Sequence, residues 1–128
     1  MKHLDSKTKE KIDRLSWFHA IDFGSYSSKG RFSTAPPNWT LFSIYEFLKD
    51  TDVRGMDCID IGTMDGIVAF TLMQKGAARV TATNLKDRQS FRLAQEILGY
   101  DIEYIPNIDL TIFESHFQNR KFDLIVMA

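Results

Sequence analysis

Cys58-Ile59-Asp60-Ile61-Gly62-Thr63-Met64-Asp65-Gly66 runs directly into Ile67-Val68-Ala69-Phe70-Thr71-Leu72-Met73, and this stretch decides the fold. An apolar strand ends at an acid and a glycine, the chain turns tightly, and a second glycine leads into an apolar helix. Doubly wound α/β domains hold a nucleoside-bearing cofactor at such a place, at the carboxyl end of a strand. Gly62 lets the backbone turn and approach a ligand with no Cβ in the way, and Gly66 admits the helix close to the sheet. Asp60 and Asp65 are expected at the mouth of the crevice. A carboxylate there suits a cationic or hydroxyl-bearing ligand and opposes a pyrophosphate. The dinucleotide fingerprint G-x-G-x-x-G is not met, because Met64 holds its middle glycine position.

Outward from this stretch, helices and strands alternate. The helix is expected over 67–75 and stops at Gly76, a residue that takes the left-handed conformation at helix ends. A strand follows at Arg79–Thr83, a helix over 88–98, and a strand over 102–105 that Pro106 breaks. A short helix over 112–117 and a strand over 122–127 complete the pattern. Upstream, residues 5–18 read as a helix with Ser6 as N-cap and Ile12, Leu15 and Phe18 at helical spacing. Residues 22–38, with their glycines, serines and Pro36-Pro37, read as irregular, and 39–49 as a second helix. The first strand is Asp57–Ile61. Strands alternating with helices predict a parallel sheet with right-handed crossovers.

The motif D-x-G-T-x-D-G over Asp60 to Gly66 resembles the first motif of class I S-adenosylmethionine-dependent methyltransferases. Trp17-Phe18-His19 with Ile21-Asp22, then Pro37-Asn38-Trp39, and Phe91-Arg92-Leu93-Ala94-Gln95-Glu96-Ile97-Leu98-Gly99 follow in the order seen there. Within that superfamily the chain looks most like the group around the tRNA wobble-uridine carboxymethyltransferases. The resemblance implies an α/β fold, a Rossmann-like, partial doubly wound parallel sheet of strand order 3-2-1-4 with an N-terminal helical lid segment. Residues 1–50 would form that segment and 51–128 the cofactor-binding core. It implies S-adenosylmethionine as cofactor and a small molecule or RNA nucleoside as methyl acceptor.

On the same resemblance, Asp60, Gly62, Thr63, Asp65 and Gly66 contact the cofactor. Asn84, at the end of the second strand, stands where an acid usually accepts the ribose hydroxyls. An amide lacks the charge-assisted strength of a carboxylate, at a cost of about 1 kcal/mol, so Asn84→Asp is expected to tighten binding. Leu85 would pack on the adenine, and Asn107 and Ile108 would meet its edge, although Asn107 after Pro106 is equally a turn residue. The lid aromatics Phe23, Tyr26, Phe32 and Trp39 either stack on substrate or cover the core, and Trp39 is the substrate-binding candidate.

Composition bounds this reading. With 128 residues, 44% apolar and 26% charged, the chain is one domain with an ordinary soluble balance. A net charge of −1 gives no electrostatic case for nucleic acid or anionic membrane as main partner. The lone Cys58 excludes an internal disulfide and is expected as a buried, inert thiol. The N-terminus begins charged and lacks an apolar h-region, so no signal peptide is expected; the apolar stretch from Ile67 to Met73 is far too short to span a bilayer, and a cytoplasmic protein is expected. His3, His19 and His116 are scattered without metal-ligand spacing. Methyl transfer relies on proximity and alignment, and no residue is named as a catalytic base.

The resembled family has a seven-stranded sheet, whereas this sequence reaches strand four at its end. On that reading the chain is a fragment, a truncated product or a protomer that pairs through the edge at 122–127, inactive alone for want of an acceptor side. The alternative is a non-catalytic methyltransferase-like interaction module with weak or no cofactor binding. A nicotinamide-dependent oxidoreductase is disfavoured by Met64.

Overall fold

The computed structural model of the chain describes residues 3–31 and 36–128, so the lid aromatic Phe32 lies outside the described residues. Four strands, β1 (Asp57–Ile61), β2 (Arg79–Thr83), β3 (Glu103–Ile105) and β4 (Leu124–Met127), form one sheet in the order β3-β2-β1-β4. Every pairing is parallel, with Cys58 opposite Val80 on one side and Leu124 on the other. The Rossmann-like architecture and the strand order are those expected.

Among the described residues five α-helices cross between or precede the strands: α1 (Ser6–Arg14), α2 (Phe42–Lys49), α3 (Ile67–Gln74), α4 (Gln89–Leu98) and α5 (Leu110–His116). Several ends differ from the sequence expectation. The first helix is shorter than 5–18 and its N-cap is Asp5, not Ser6, with the Asp5 carboxylate accepting from the Thr8 amide at 2.8 Å. A carboxylate at the positive end of a helix is the stronger cap. At the other end the Leu15 amide and the Trp17 indole both donate to the Ile12 carbonyl, which turns the chain out of the helix. Trp39–Leu41 is a 3-10 turn ahead of α2. Asp109 accepts from the Thr111 and Ile112 amides and so starts α5 at Leu110, two residues before the expected start. Phe122 precedes β4 and lies under the Arg120 guanidinium at 4.6 Å.

One core joins the N-terminal segment to the sheet. Leu4, Ile12, Trp17, Phe23 and Leu48 pack in the same cluster as Cys58, Val80 and the buried face of α3. Phe91 of α4 is fully buried, stacked on Tyr104 at 4.0 Å and on Phe70 at 5.6 Å. Burying a side chain of that size stabilises the fold by about 1.5–3 kcal/mol. Phe23 packs edge-on against Trp17 at 5.9 Å, and the Tyr26 hydroxyl donates to Asp13 at 2.6 Å, so both of these lid aromatics cover the core.

The opposite face of the sheet is thinner. There Ile59, Ile108 and Phe117 are buried beneath α5. Ile125 and Met127 sit on that face beside Ile59 and Ile61, and remain 58% and 61% exposed. Among the described residues no helix is long and apolar enough to cross a membrane.

Candidate functional site

The carboxyl ends of β1, β2 and β4 open into a cleft of about 380 Å³. It lies where the strand order reverses between β1 and β4, the place at which open α/β sheets bind ligands. Gly62 and Asn84 form its floor, and Leu85, Ile108, Leu110 and Phe113 supply apolar walls. Asp109 is the single charged side chain along it among the described residues. Of the candidates read from sequence, Gly62, Asn84, Leu85 and Ile108 line the cleft. Leu110, Phe113 and Met127 were missed, although a cap signal at Asp109-Leu110-Thr111 would have brought the first two into the reading.

The two glycines of the motif serve different ends. Gly62 has φ 75°, and a Cβ built there meets nothing within 4 Å, so the absent side chain leaves the cleft open. Gly66 has φ 99°, and its Cβ would lie 2.7 Å from both the Phe70 and Phe91 rings. What Gly66 admits is therefore the aromatic stack of α3 and α4. Thr63 is buried beneath the loop and does not reach the cleft wall.

Four of the five amides of this loop, those of Gly62, Thr63, Met64 and Gly66, have partners within the protein. Gly62 N and Thr63 N both donate to the Thr83 carbonyl, at 3.0 and 2.9 Å, and Gly66 N donates to Thr63 O at 2.9 Å. Met64 N donates to the Asn84 side-chain oxygen at 3.3 Å. A phosphate-binding loop turns such amides toward its ligand. Here they close the turn on itself.

The two motif carboxylates are not at the mouth of the crevice, contrary to expectation. Asp65 is fully buried and accepts four bonds: from Phe18 N at 2.6 Å, His19 N at 2.8 Å, the Ser90 hydroxyl at 2.5 Å and the Arg88 guanidinium at 2.7 Å. It ties the N-terminal segment to the glycine loop and to the start of α4. Asp60 is 2% exposed within β1, on the face covered by α3. Burial pushes its carboxyl up to about 7, against the pull of the Thr63 hydroxyl and the Ala69 amide. Neither acid lines the cleft.

Asn84 is 5% exposed, and its amide group donates to Lys86 O at 2.8 Å while its oxygen takes the Met64 amide. Asn107 is a left-handed turn residue with φ 63°, outside the cleft. Trp39, 46% exposed on its 3-10 turn, also lies away from the cleft lining. The turn is stapled by Asn38, whose side chain exchanges two 2.9 Å bonds with the backbone of Ala20. His19 is buried with neither ring nitrogen bonded, and burial lowers its pKa. Among the described residues no group of three His, Cys, Asp or Glu side chains is placed to hold a metal ion.

No model of a known protein family matches the chain, and no curated protein matches it. Solved structures do. A ribosomal protein L11 methylase from Lactobacillus delbrueckii subsp. bulgaricus aligns over 86% of this chain and 66% of its own, with 23% identity and a TM-score of 0.57. A putative RNA methyltransferase from Pyrococcus horikoshii aligns over 97% of this chain and 59% of its own, with 18% identity and a TM-score of 0.49. Protein 1320 of Thermoplasma acidophilum aligns over 66% and 41%, with 26% identity and a TM-score of 0.47. The chain thus spans between 41% and 66% of the length of these structures. The likeness to the L11 methylase shows that the sheet and its helices have the α/β fold of that enzyme.

Proposed function

We propose that the cleft holds the adenosine end of S-adenosylmethionine and that the chain is the cofactor-binding portion of a methyltransferase. The observation that carries this is the commitment of four of the five glycine-loop amides, together with a lining that contains no lysine or arginine among the described residues. A dinucleotide brings a pyrophosphate that needs free amides or cations. A nucleoside joined to a sulfonium brings no phosphate, and it suits apolar walls, an open Gly62 and the Asp109 carboxylate. The residues present therefore fit the base and the close approach of the ligand. When bound, the cofactor supplies a methyl group already activated on a cationic sulfur.

The chain's own part is to place that ligand. Leu85, Ile108 and Phe113 bracket a planar base, Gly62 permits contact with the backbone, and Asp65 holds residues 18–19 against the loop. Proximity and alignment supply most of the acceleration in such a transfer. The resemblance to the wobble-uridine carboxymethyltransferase group supports an RNA nucleoside as acceptor, with a small molecule as the other class. Burial pushes the Cys58 thiol up to about 11, so it takes no part in this chemistry. The exposed Ile125 and Met127 support self-association of this chain through β4.

Calorimetric titration with S-adenosylhomocysteine and with NADH tests the reading. Binding of the first and not the second is expected. Binding of NADH alone overturns it. Binding of neither favours a non-catalytic methyltransferase-like module, a reading that Asn84 in place of a ribose-binding acid supports.

A further inference from the structure

We infer that Asn84 is a positioning residue that latches the glycine loop, and that a nucleoside in the cleft is held without a ribose-reading carboxylate. Met64 occupies the middle of that loop at φ 54°. An L-residue in the left-handed region costs about 1–2 kcal/mol, so something must hold Met64 there. The Met64 amide finds its acceptor in Asn84 Oδ1 at 3.3 Å, and the amide nitrogen of Asn84 donates to Lys86 O at 2.8 Å. These partners fix which end of the amide is oxygen, since an N–H must meet an acceptor and a carbonyl must meet a donor. The backbone of Asn84 is equally committed, donating to Ile105 O at 3.2 Å and accepting from Ile108 N at 3.1 Å.

This bonding demands an amide. An aspartate could accept from Met64 N, but its second oxygen would face the Lys86 carbonyl with no proton between them. The exchange to Asp, expected from sequence to tighten ligand binding, therefore carries a cost that the bonds of Asn84 create. With its oxygen turned to Met64 and its nitrogen to Lys86, Asn84 presents no pair of acceptors to the two ribose hydroxyls. Selectivity then falls to the walls around Leu85, Ile108 and Phe113, which read a base and not a sugar. The sugar half of this inference rests on the nucleoside reading proposed above. The latch half does not.

Amide hydrogen exchange on the ligand-free chain tests the latch. Met64 N–H should exchange about five- to tenfold faster in Asn84→Ala, the worth of one neutral hydrogen bond. Gly62 and Thr63, whose amides are held by Thr83 O, should keep their protection. Loss of all three protections together, or no change at Met64, overturns the latch. Titration with adenosine and 2′-deoxyadenosine tests the sugar half. Affinities within about threefold are expected, because Asn84 offers the two hydroxyls no pair of acceptors and Asp109 is taken up by the Thr111 and Ile112 amides. A tenfold or greater preference for the ribonucleoside overturns the sugar half. If neither nucleoside binds, the proposed function and the sugar half fail together, while the exchange result still decides the latch.

Discussion

Replacing Asp65 by alanine should loosen residues 18–19 from the glycine loop and destabilise the fold. The carboxylate is wholly buried, and its removal leaves four donors without their acceptor: Phe18 N, His19 N, the Ser90 hydroxyl and Arg88. Arg88 is 27% exposed, so water recovers part of its solvation. Breaking a buried pair from one side costs about 3–5 kcal/mol, and the exposure of Arg88 favours the lower half of that range. Taking about 3–4 kcal/mol for a chain of 128 residues, the melting temperature should fall by roughly 10–15 °C. Circular dichroism melts and urea titration measure the loss. Trp17, buried at 5% exposure one residue from the Asp65 bonds, gives a local signal: its emission should shift to the red in the folded variant. Trp39 already lies 46% exposed and adds a constant background. In Arg88→Met the same Asp65→Ala change should cost less, since no cation is then stranded. A loss below about 1 kcal/mol with unchanged Trp17 emission would refute the hub described for Asp65.

Three further outcomes are expected. Asp60 has its carboxyl pushed up to about 7 by burial, so the folded state holds a proton that the unfolded chain gives up near pH 4. Its contribution is full below about pH 4 and is lost as the pH rises through 7; Asp60→Asn should flatten the fall in urea midpoint between pH 5 and 8, and an unchanged slope contradicts this. Gly66→Ala should destabilise by more than 2 kcal/mol through its contacts with Phe70 and Phe91, whereas Gly62→Ala, with open space around the Cβ, should cost only about 1 kcal/mol of backbone strain and weaken S-adenosylhomocysteine binding. Light scattering should find the chain self-associated through β4, because burying a few hundred Å² at about 25 cal/mol per Å² returns several kcal/mol; Ile125→Lys should shift it toward monomer, and a wild-type monomer at high micromolar concentration overturns the proposal.

The alternation of strands and helices was legible because α3 and α4 stop at Gly76 and Gly99, signals that depend only on neighbours in sequence, whereas the order of the sheet came from the family resemblance. Gly62 and Asn84 were legible for the same reason, being fixed by their distance from the ends of β1 and β2. The direction of a side chain after a tight turn is another matter. Asp65 turns inward because residues 18 and 19, 47 and 46 positions earlier, bring two amides to it, and nothing within the motif announces that docking. Asp60 follows from strand alternation, which puts it with Cys58 on the face beneath α3, a consequence that the motif reading passed over. Leu110 and Phe113 escaped notice because a helix started two residues late moves its first turn away from the cleft.

The pairing of β1 with both β2 and β4 also governs how the chain acquires its fold. β2 reaches β1 after a single helix, but the Asp57–Asp123 contact beside β4 closes a loop 66 residues long. Parallel pairing at such separation is slow, since chain entropy is lost before the contacts repay it. Until β4 arrives, the Cys58–Ile61 side of the central strand is an open row of peptide groups flanked by Ile59 and Ile61. A nascent or partly unfolded chain therefore offers its stickiest edge at the middle of the future sheet, and a holdase chaperone that shields residues 57–61 would raise the yield of folded protein more than one acting on the N-terminal helix.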